Sequence, residues 1–112
     1  MPNVYLPAVP MRYDRTLDRY SPALDMTPAA AYGFVIQLLA FDRALAPHEM
    51  PAAIELLKAG IASIYPEDFV VAVGDPVLIA VAVNAALNKN GLVRMLRWDR
   101  LVKDYQLIEV KL

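Results

Sequence analysis

The stretch FVVAVGDPVLIAVAVNAAL, residues 69–87, joins a strand signal to a helix signal within nineteen residues. Its first five residues form a run rich in β-branched side chains between Pro66 and Gly74, which predicts a buried strand over residues 69–73. Although nearly every residue is apolar, the central Gly-Asp-Pro leaves pieces far shorter than the roughly 18–20 residues that a bilayer span needs. We therefore expect no transmembrane helix and no membrane partner.

The second half of this stretch predicts a helix over residues 76–89. Asp75 can cap free backbone N–H groups, and Pro76 at the first helical position gives up a donor that would have no partner. The helix should end at Gly91, since glycine favours the left-handed backbone of a helix stop. If the strand after this helix lies beside strand 69–73, the helical connection makes the two strands parallel.

The two ends of the chain predict strands. Three prolines among the first ten residues remove hydrogen-bond donors, so we expect residues 1–10 to form an arm or an edge strand. Residues 11–24 and residues 92–112 each contain a strand, a turn that begins at aspartate and a second strand. Two β-hairpins are therefore predicted.

The middle of the chain predicts two further helices. Thr27 and Pro28 offer a cap and a first helical residue, and the almost wholly apolar run that follows predicts a helix over residues 27–45 that is buried on all sides. Apolar residues at helical spacing then predict an amphipathic helix over residues 50–64. In chain order the elements are ββ-α-α-β-α-ββ. This order predicts a single α+β domain, residues 1–112, with three helices packed on a small mixed or mostly antiparallel sheet.

Composition excludes several classes of function. The 112 residues are 58% hydrophobic, carry a formal charge of −1 and have a pI near 5.7, so the whole chain has no strong attraction for nucleic acid or anionic membrane. The absence of cysteine excludes disulfides, thiolate nucleophiles and cysteine-based zinc sites, and the chain has a single histidine. We predict no cofactor, no metal and no enzymatic activity. The N-terminus lacks the pattern of a secretory signal, which predicts a cytoplasmic location.

Charge is distributed unevenly, and basic residues lie among aromatic residues in the two predicted hairpins. Residues 25–75 contain seven acidic and two basic side chains, whereas residues 76–112 contain three acidic and six basic ones. Arginine beside aromatic rings is typical of a surface that binds single-stranded nucleic acid. A soluble hairpin with cross-strand ring packing explains the same pattern, and we favour it because carboxylates lie among these bases. The candidate nucleic-acid residues are Arg12, Tyr13, Arg15, Arg19, Tyr20, Arg97, Trp98, Arg100 and Tyr105.

The two predicted hairpins resemble each other at an offset of 85 residues. RYDR at residues 12–15 matches RWDR at residues 97–100, and a tyrosine five residues further on matches in both. We favour convergence on one turn type over duplication, because an aromatic residue followed by aspartate is a common way to enter a turn. If the hairpins pair, Asp14 and Asp99 approach each other and can divide general acid and base work. An unrecognised enzyme with this aspartate pair is a third hypothesis.

Excess apolar surface predicts self-association. Two helices that are apolar on every side are hard to bury, because a domain of this size hides only about 60–70% of the surface of its unfolded chain. We expect the remainder to form a homodimer interface and to bind a protein partner that the sequence does not identify. The candidate interface residues are Tyr32, Ile36, Leu39 and Phe41.

The leading hypothesis is a small non-enzymatic accessory protein that acts by protein binding and self-association. Short, compact chains without a set of catalytic residues are typical of phages and other mobile elements. The alternative is a small single-stranded nucleic-acid-binding protein that uses the basic, aromatic hairpins.

Overall fold

The computed structural model describes residues 1–22, 25, 27–41 and 44–112. A short 3-10 helix, Pro47–Glu49, precedes the second α-helix. Residues 23–24 of the predicted hairpin 11–24 and residues 42–43 of the predicted helix 27–45 lie outside the described residues. In chain order the elements are β1 (Asn3–Leu6), β2 (Val9–Asp14), β3 (Arg19–Pro22), α1 (Thr27–Ala30), β4 (Phe34–Gln37), β5 (Ala40–Phe41), α2 (Met50–Ile61), β6 (Phe69–Val71), α3 (Pro76–Asn90), β7 (Leu92–Asp99) and β8 (Asp104–Lys111).

The main sheet has five strands in the order β4-β1-β6-β7-β8. The strands β4, β1, β6 and β7 are parallel to one another, and β8 returns antiparallel to β7. A second sheet has the order β3-β2-β5. The expected α+β class with a mixed sheet is therefore confirmed. The expected parallel pairing of the strands on either side of α3 is also confirmed, with Val70 opposite Met95.

Apolar side chains fill both faces of the main sheet, because successive residues of a strand point to opposite faces. On one face Tyr5 and Val70 belong to a core that also contains Leu57 of α2 and Leu78 of α3. On the other face a second core is made by strand residues together with Ala29 of α1. Its buried members are Val4, Leu6, Val9, Ala29, Phe69, Val71 and Leu96.

Helix α3 begins and ends as its sequence predicts. The Asp75 carboxylate accepts a hydrogen bond of 2.8 Å from the backbone N–H of Val77, and Gly91 adopts φ 73° at the end of the helix. Along the helix Leu78, Ala82 and Ala86 are buried at a spacing of four residues. The helix therefore buries one stripe completely, although its sequence is apolar on every side.

The prediction of an arm or edge strand over residues 1–10 is wrong. β1 lies inside the main sheet, between β4 and β6, and is parallel to both. Its four residues lie between Pro2 and Pro7, so every one of them keeps its N–H. The prolines bound the strand and leave its hydrogen-bonding edges intact.

The prediction of a helix over residues 27–45 is also wrong. Among the described residues of this range, helix is confined to α1, and the chain then enters β4 and β5. Gly33 makes the change of structure possible, because a Cβ there would lie 2.1 Å from the Pro2 carbonyl oxygen. The run that follows, Phe34-Val35-Ile36, is as rich in β-branched residues as β6, and the free edge of β1 supplies its partner.

The other predicted elements differ from the structure only at their ends. α2 ends at Ile61 rather than at residue 64, and β6 ends at Val71 rather than at residue 73. The start of α1 also differs in its hydrogen bonding, since the carboxylate of Asp25 accepts from the backbone N–H of Thr27 at 2.9 Å.

Candidate functional site

The two hairpins, β2–β3 and β7–β8, have the same turn. Asp14 accepts hydrogen bonds from the backbone N–H groups two and three residues further on, at 2.9 and 3.3 Å, and Asp99 does the same at 2.9 and 3.5 Å. Four residues after each aspartate the backbone is left-handed, with φ 51° at Asp18 and 54° at Lys103. The sequence match at an offset of 85 residues therefore corresponds to one turn geometry, which convergence on a turn type and duplication both predict.

Each hairpin also carries a cross-strand pair of rings immediately before its turn. Tyr13 and Tyr20 pack edge to face with centroids 5.6 Å apart, and Trp98 and Tyr105 pack in the same way at 5.1 Å. The Tyr13 hydroxyl donates a hydrogen bond to the Asp18 carboxylate, which raises the pKa of Tyr13. The cross-strand packing of rings that the sequence predicts is therefore confirmed in both hairpins.

The two ring pairs differ in what lies beneath them. Tyr13 and Tyr20 are about half exposed, whereas Tyr105 packs on further rings of the core. Tyr32 contacts Tyr105 edge to face at 6.4 Å and Phe69 at 5.6 Å, and its hydroxyl donates to the Tyr105 carbonyl oxygen. Phe69, Tyr32, Tyr105 and Trp98 thus form a continuous aromatic row across this face of the sheet.

The aromatic row ends at a cavity of about 590 Å³. The cavity lies at the carboxyl ends of the parallel strands β6 and β7, which is where ligands commonly bind in sheets of this type. Four separate segments supply its walls, and most of its lining side chains are apolar. The lining residues are Asp25, Pro28, Val71, Ala72, Val73, Trp98, Lys103 and Tyr105.

Two charged side chains, Asp25 and Lys103, line this cavity. Hydrogen bonds donated by the backbone and side chain of Thr27 lower the pKa of Asp25, so its carboxylate is ionised at neutral pH. Burial raises the pKa of Tyr105, and the negative charges of Asp25 and Asp104 raise it further. Lys103 contributes the opposing positive charge from the exposed turn.

Beside the cavity, the β7–β8 turn exposes apolar side chains. Leu101 is 94% exposed and Val102 is 67% exposed, and Trp98 at the cavity is still 42% exposed. Turn positions usually carry Gly, Pro, Asn, Asp or Ser, whose backbone freedom or local hydrogen bonds suit a turn. We call Leu101 and Val102 the apolar tip.

The comparison with protein-family models identifies a family for this chain. The model of the family described as phage Pam3 gp32-like protein matches residues 2–112. The chain belongs to this family. The match confirms the expectation of a phage protein. Comparison with curated proteins and comparison with solved structures gave no match.

The basic and aromatic residues predicted to bind nucleic acid do not share one surface of this phage protein. Arg97 pairs with Gln106, and its guanidinium donates to the Gln106 side chain at 2.8 Å. Trp98, the next residue, pairs with Tyr105 on the opposite face of the sheet. The same alternation separates Arg12, opposite Ser21, from Tyr13, opposite Tyr20. The other three candidate arginines, Arg15, Arg19 and Arg100, have exposed side chains.

The two turn aspartates do not approach each other through hairpin pairing, because the hairpins belong to different sheets. Each aspartate is occupied by the N–H groups of its own turn. Within residues 1–22, 25, 27–41 and 44–112, no three acidic or histidine side chains are grouped to hold a metal ion. In the same residues no helix is both long enough and apolar enough to cross a bilayer.

The predicted interface residues do not form one helix face. Leu39 is buried in the core beneath α2 and α3, and Ile36 packs against that core from β4. Tyr32 belongs to the aromatic row on the other side of the sheet. The side chain of Phe41 lies outside the described part of the chain.

Sequence reasoning missed the cavity because its walls come from segments far apart in the chain. The sequence predicts a role for Trp98 and Tyr105, but as residues that stack on nucleic acid. Asp25 and Val73 had no local signal that could link them to these rings. The parallel arrangement of β6 and β7 brings Val73 to the same cavity as Trp98, and Asp25 reaches it from the segment before α1.

Proposed function

We propose that this phage protein acts without catalysis, by binding another protein through the end of the β7–β8 hairpin. The apolar tip carries the proposal. Leu101 and Val102 lose contact with water only if another molecule covers them, and exposed apolar patches normally mark binding surfaces.

The surroundings of the tip support a protein partner. Trp98 and Tyr105 lie next to the turn of the same hairpin, and aromatic side chains that become fully desolvated in a complex contribute much of the binding energy of protein interfaces. Arg100 and Lys103 flank the apolar tip, which gives the surface the apolar centre and polar rim of an interface.

We propose self-association through β8. Its partner in the sheet is β7, and within the described residues its outer edge has no strand beside it. Leu107 and Ile108 are exposed along this eight-residue edge. A long edge strand with apolar side chains is a template for pairing with another chain. The first of the two helices expected to be apolar on every side has only four residues, so it does not supply the expected interface.

The geometry supports nucleic-acid binding less well. A stacking surface needs rings and phosphate-binding cations on one side of the strand. Here the alternation of the strands sends Arg97 and Trp98 to opposite faces.

The binding surface predicts a selective loss of the partner. A double variant, Leu101→Ser with Val102→Ser, should recover at least about tenfold less of a specific partner from a lysate of phage-infected cells, measured by quantitative mass spectrometry. Both side chains are exposed, so the melting temperature should change little. Leu17→Ser, at the matching position of the other turn, is the control and should recover the partner at the level of the unmodified protein. Equal recovery with all three proteins would contradict the proposed binding surface.

Self-association predicts a dimer in solution. Light scattering at about 10 μM should give about twice the chain mass of 12.4 kDa. Leu107→Lys should give the monomer, because a lysine on an edge strand opposes strand pairing. Lys111→Arg keeps the charge at the end of the same strand and should remain a dimer. A mass of 12.4 kDa for the unmodified protein above about 100 μM would show that β8 does not pair.

A further inference from the structure

We propose that the cavity beside Trp98 and Tyr105 receives a positively charged side chain, the guanidinium or ammonium group of an arginine or lysine of the partner protein. This inference rests on the proposed function, because it names what the partner inserts next to the apolar tip. It concerns a different group of residues from the tip itself, so the two can be tested separately.

The cavity is large enough and apolar enough to receive a long side chain. Its volume of about 590 Å³ lies within the range of sites that enclose small ligands. Pro28, Val71 and Val73 offer apolar walls for the methylene groups of arginine or lysine. Trp98 remains partly exposed, so the cavity can be entered from the side of the hairpin.

The rings and the carboxylate together favour a cation. An aromatic ring attracts a cation to its face, and the attraction is greatest for tryptophan. Asp25 places a carboxylate on the same wall, held ionised by hydrogen bonds from Thr27. Asp104 adds a second negative charge close enough to act on Tyr105. A neutral aromatic guest would gain nothing from these carboxylates.

The chain already uses the same chemistry internally. The guanidinium of Arg94 lies over the ring of Phe69, 4.3 Å from its centroid, at the other end of the aromatic row. The ammonium of Lys89 lies over the ring of Tyr65 at 5.1 Å. A cation from the partner at Trp98 would give the aromatic row a cation at both ends.

Lys103 makes the inference sharply testable. Its side chain lines the same cavity and carries the charge that a cationic guest would meet. Removal of this lysine should therefore tighten the binding of a cation. If the cavity instead binds an anion through Lys103, removal of the lysine should weaken binding.

The measurement is the fluorescence of Trp98, the single tryptophan of the chain. The unmodified protein is titrated with three blocked tripeptides, Gly-Arg-Gly, Gly-norleucine-Gly and Gly-Glu-Gly. We expect saturable change with the arginine peptide in the millimolar range, and about tenfold weaker binding of the norleucine and glutamate peptides. Equal or tighter binding of the norleucine or glutamate peptide would overturn the inference.

Variants test the assigned roles. Lys103→Ala should tighten the arginine peptide by about threefold, and Asp25→Asn should weaken it by about threefold, as expected for charges near the surface. Tyr105→Leu should weaken it by about fivefold, whereas Tyr20→Leu, the matching position of the other hairpin, should leave it unchanged. Melting curves of each variant establish that it is folded. Weaker binding after Lys103→Ala, or no effect of Asp25→Asn in a folded protein, would contradict a cation site.

The two proposals can fail independently. If the tip variant loses its partner but no arginine peptide binds, the protein-binding function stands and the cation site is wrong. If the arginine peptide binds but the tip variant recovers as much of every protein as the unmodified chain, the cation site stands and the proposed tip surface is wrong.

Discussion

Gly74→Ala should destabilise the protein by about 3 kcal/mol or more and lower its melting temperature by about 15 °C. Gly74 has φ 95°, a conformation that residues with a side chain rarely adopt. A Cβ at this position would lie 1.9 Å from the carbonyl oxygen of Ala8. The obstacle is backbone, so it cannot rotate away as a side chain would. Thermal melting followed by circular dichroism measures the loss.

Gly91→Ala is the matched control. Gly91 also has a positive φ, 73°, but a Cβ there would meet no atom within 4 Å. Its replacement should cost about 1 kcal/mol, which is the cost of the left-handed backbone alone. If the two variants melt at the same temperature, the close approach of Gly74 to Ala8 contributes nothing to stability.

This contact also bears on the cavity. Gly74 directly follows Val73, which lines the cavity, and Ala8 directly precedes β2. The close approach of the two backbones therefore fixes the segment after β6. A Gly74 variant that still folds should bind the arginine peptide more weakly, because the wall formed by Val73 would shift.

Asp68→Ala should destabilise the protein by about 3 kcal/mol, measured by denaturant unfolding. Asp68 is only 3% exposed. Its two carboxylate oxygens accept hydrogen bonds of 2.9 Å from the backbone N–H groups of Asn3 and Tyr65. Alanine would leave both donors without this acceptor. The bond to Asn3 joins the start of β1 to the turn before β6, across 65 positions of the chain.

Two controls separate burial from hydrogen bonding. Asp68→Asn keeps one acceptor oxygen of similar shape and should cost about half as much as Asp68→Ala. Asp99→Ala also removes an aspartate that accepts two backbone N–H bonds, but in an exposed turn where water can replace it. It should cost less than about 1 kcal/mol. An equal loss for Asp68→Ala and Asp99→Ala would show that the burial of Asp68 is unimportant.

Local signals in the sequence were reliable where they depend on a few adjacent residues. Helix α3 begins after Asp75 and ends at Gly91, as predicted, because a helix cap and a left-handed helix end each depend on residues within one turn of the helix. The sequence also predicts the aspartates that begin the two hairpin turns, since each aspartate accepts hydrogen bonds from N–H groups only two and three residues away. Such interactions need no partner from elsewhere in the chain.

The failed predictions concern segments whose structure depends on a distant partner. Residues 34–37 form a strand only because β1 lies beside them, and β1 is internal only because β4 and β6 flank it. The sequence contained a usable signal, since Phe34-Val35-Ile36 after Gly33 resembles Phe69-Val70-Val71 of β6. The apolar residues before and after Gly33 suit a buried helix equally well, and hydrophobicity alone does not separate the two.

The candidate site shows the same division. Trp98 and Tyr105 can be identified from the sequence because aromatic residues beside a turn form a local pattern. The sequence also predicts more apolar surface than the core can bury. The tertiary structure decided that these rings face a cavity shared with Asp25 and Lys103. The parallel pairing of β6 and β7 aligns the carboxyl ends of two strands and so brings Val73 to the same cavity as Trp98, whereas Asp25 reaches it from the segment before α1. Caps and turns are determined by neighbouring residues, whereas strand partners and cavities are determined by which distant backbones find each other.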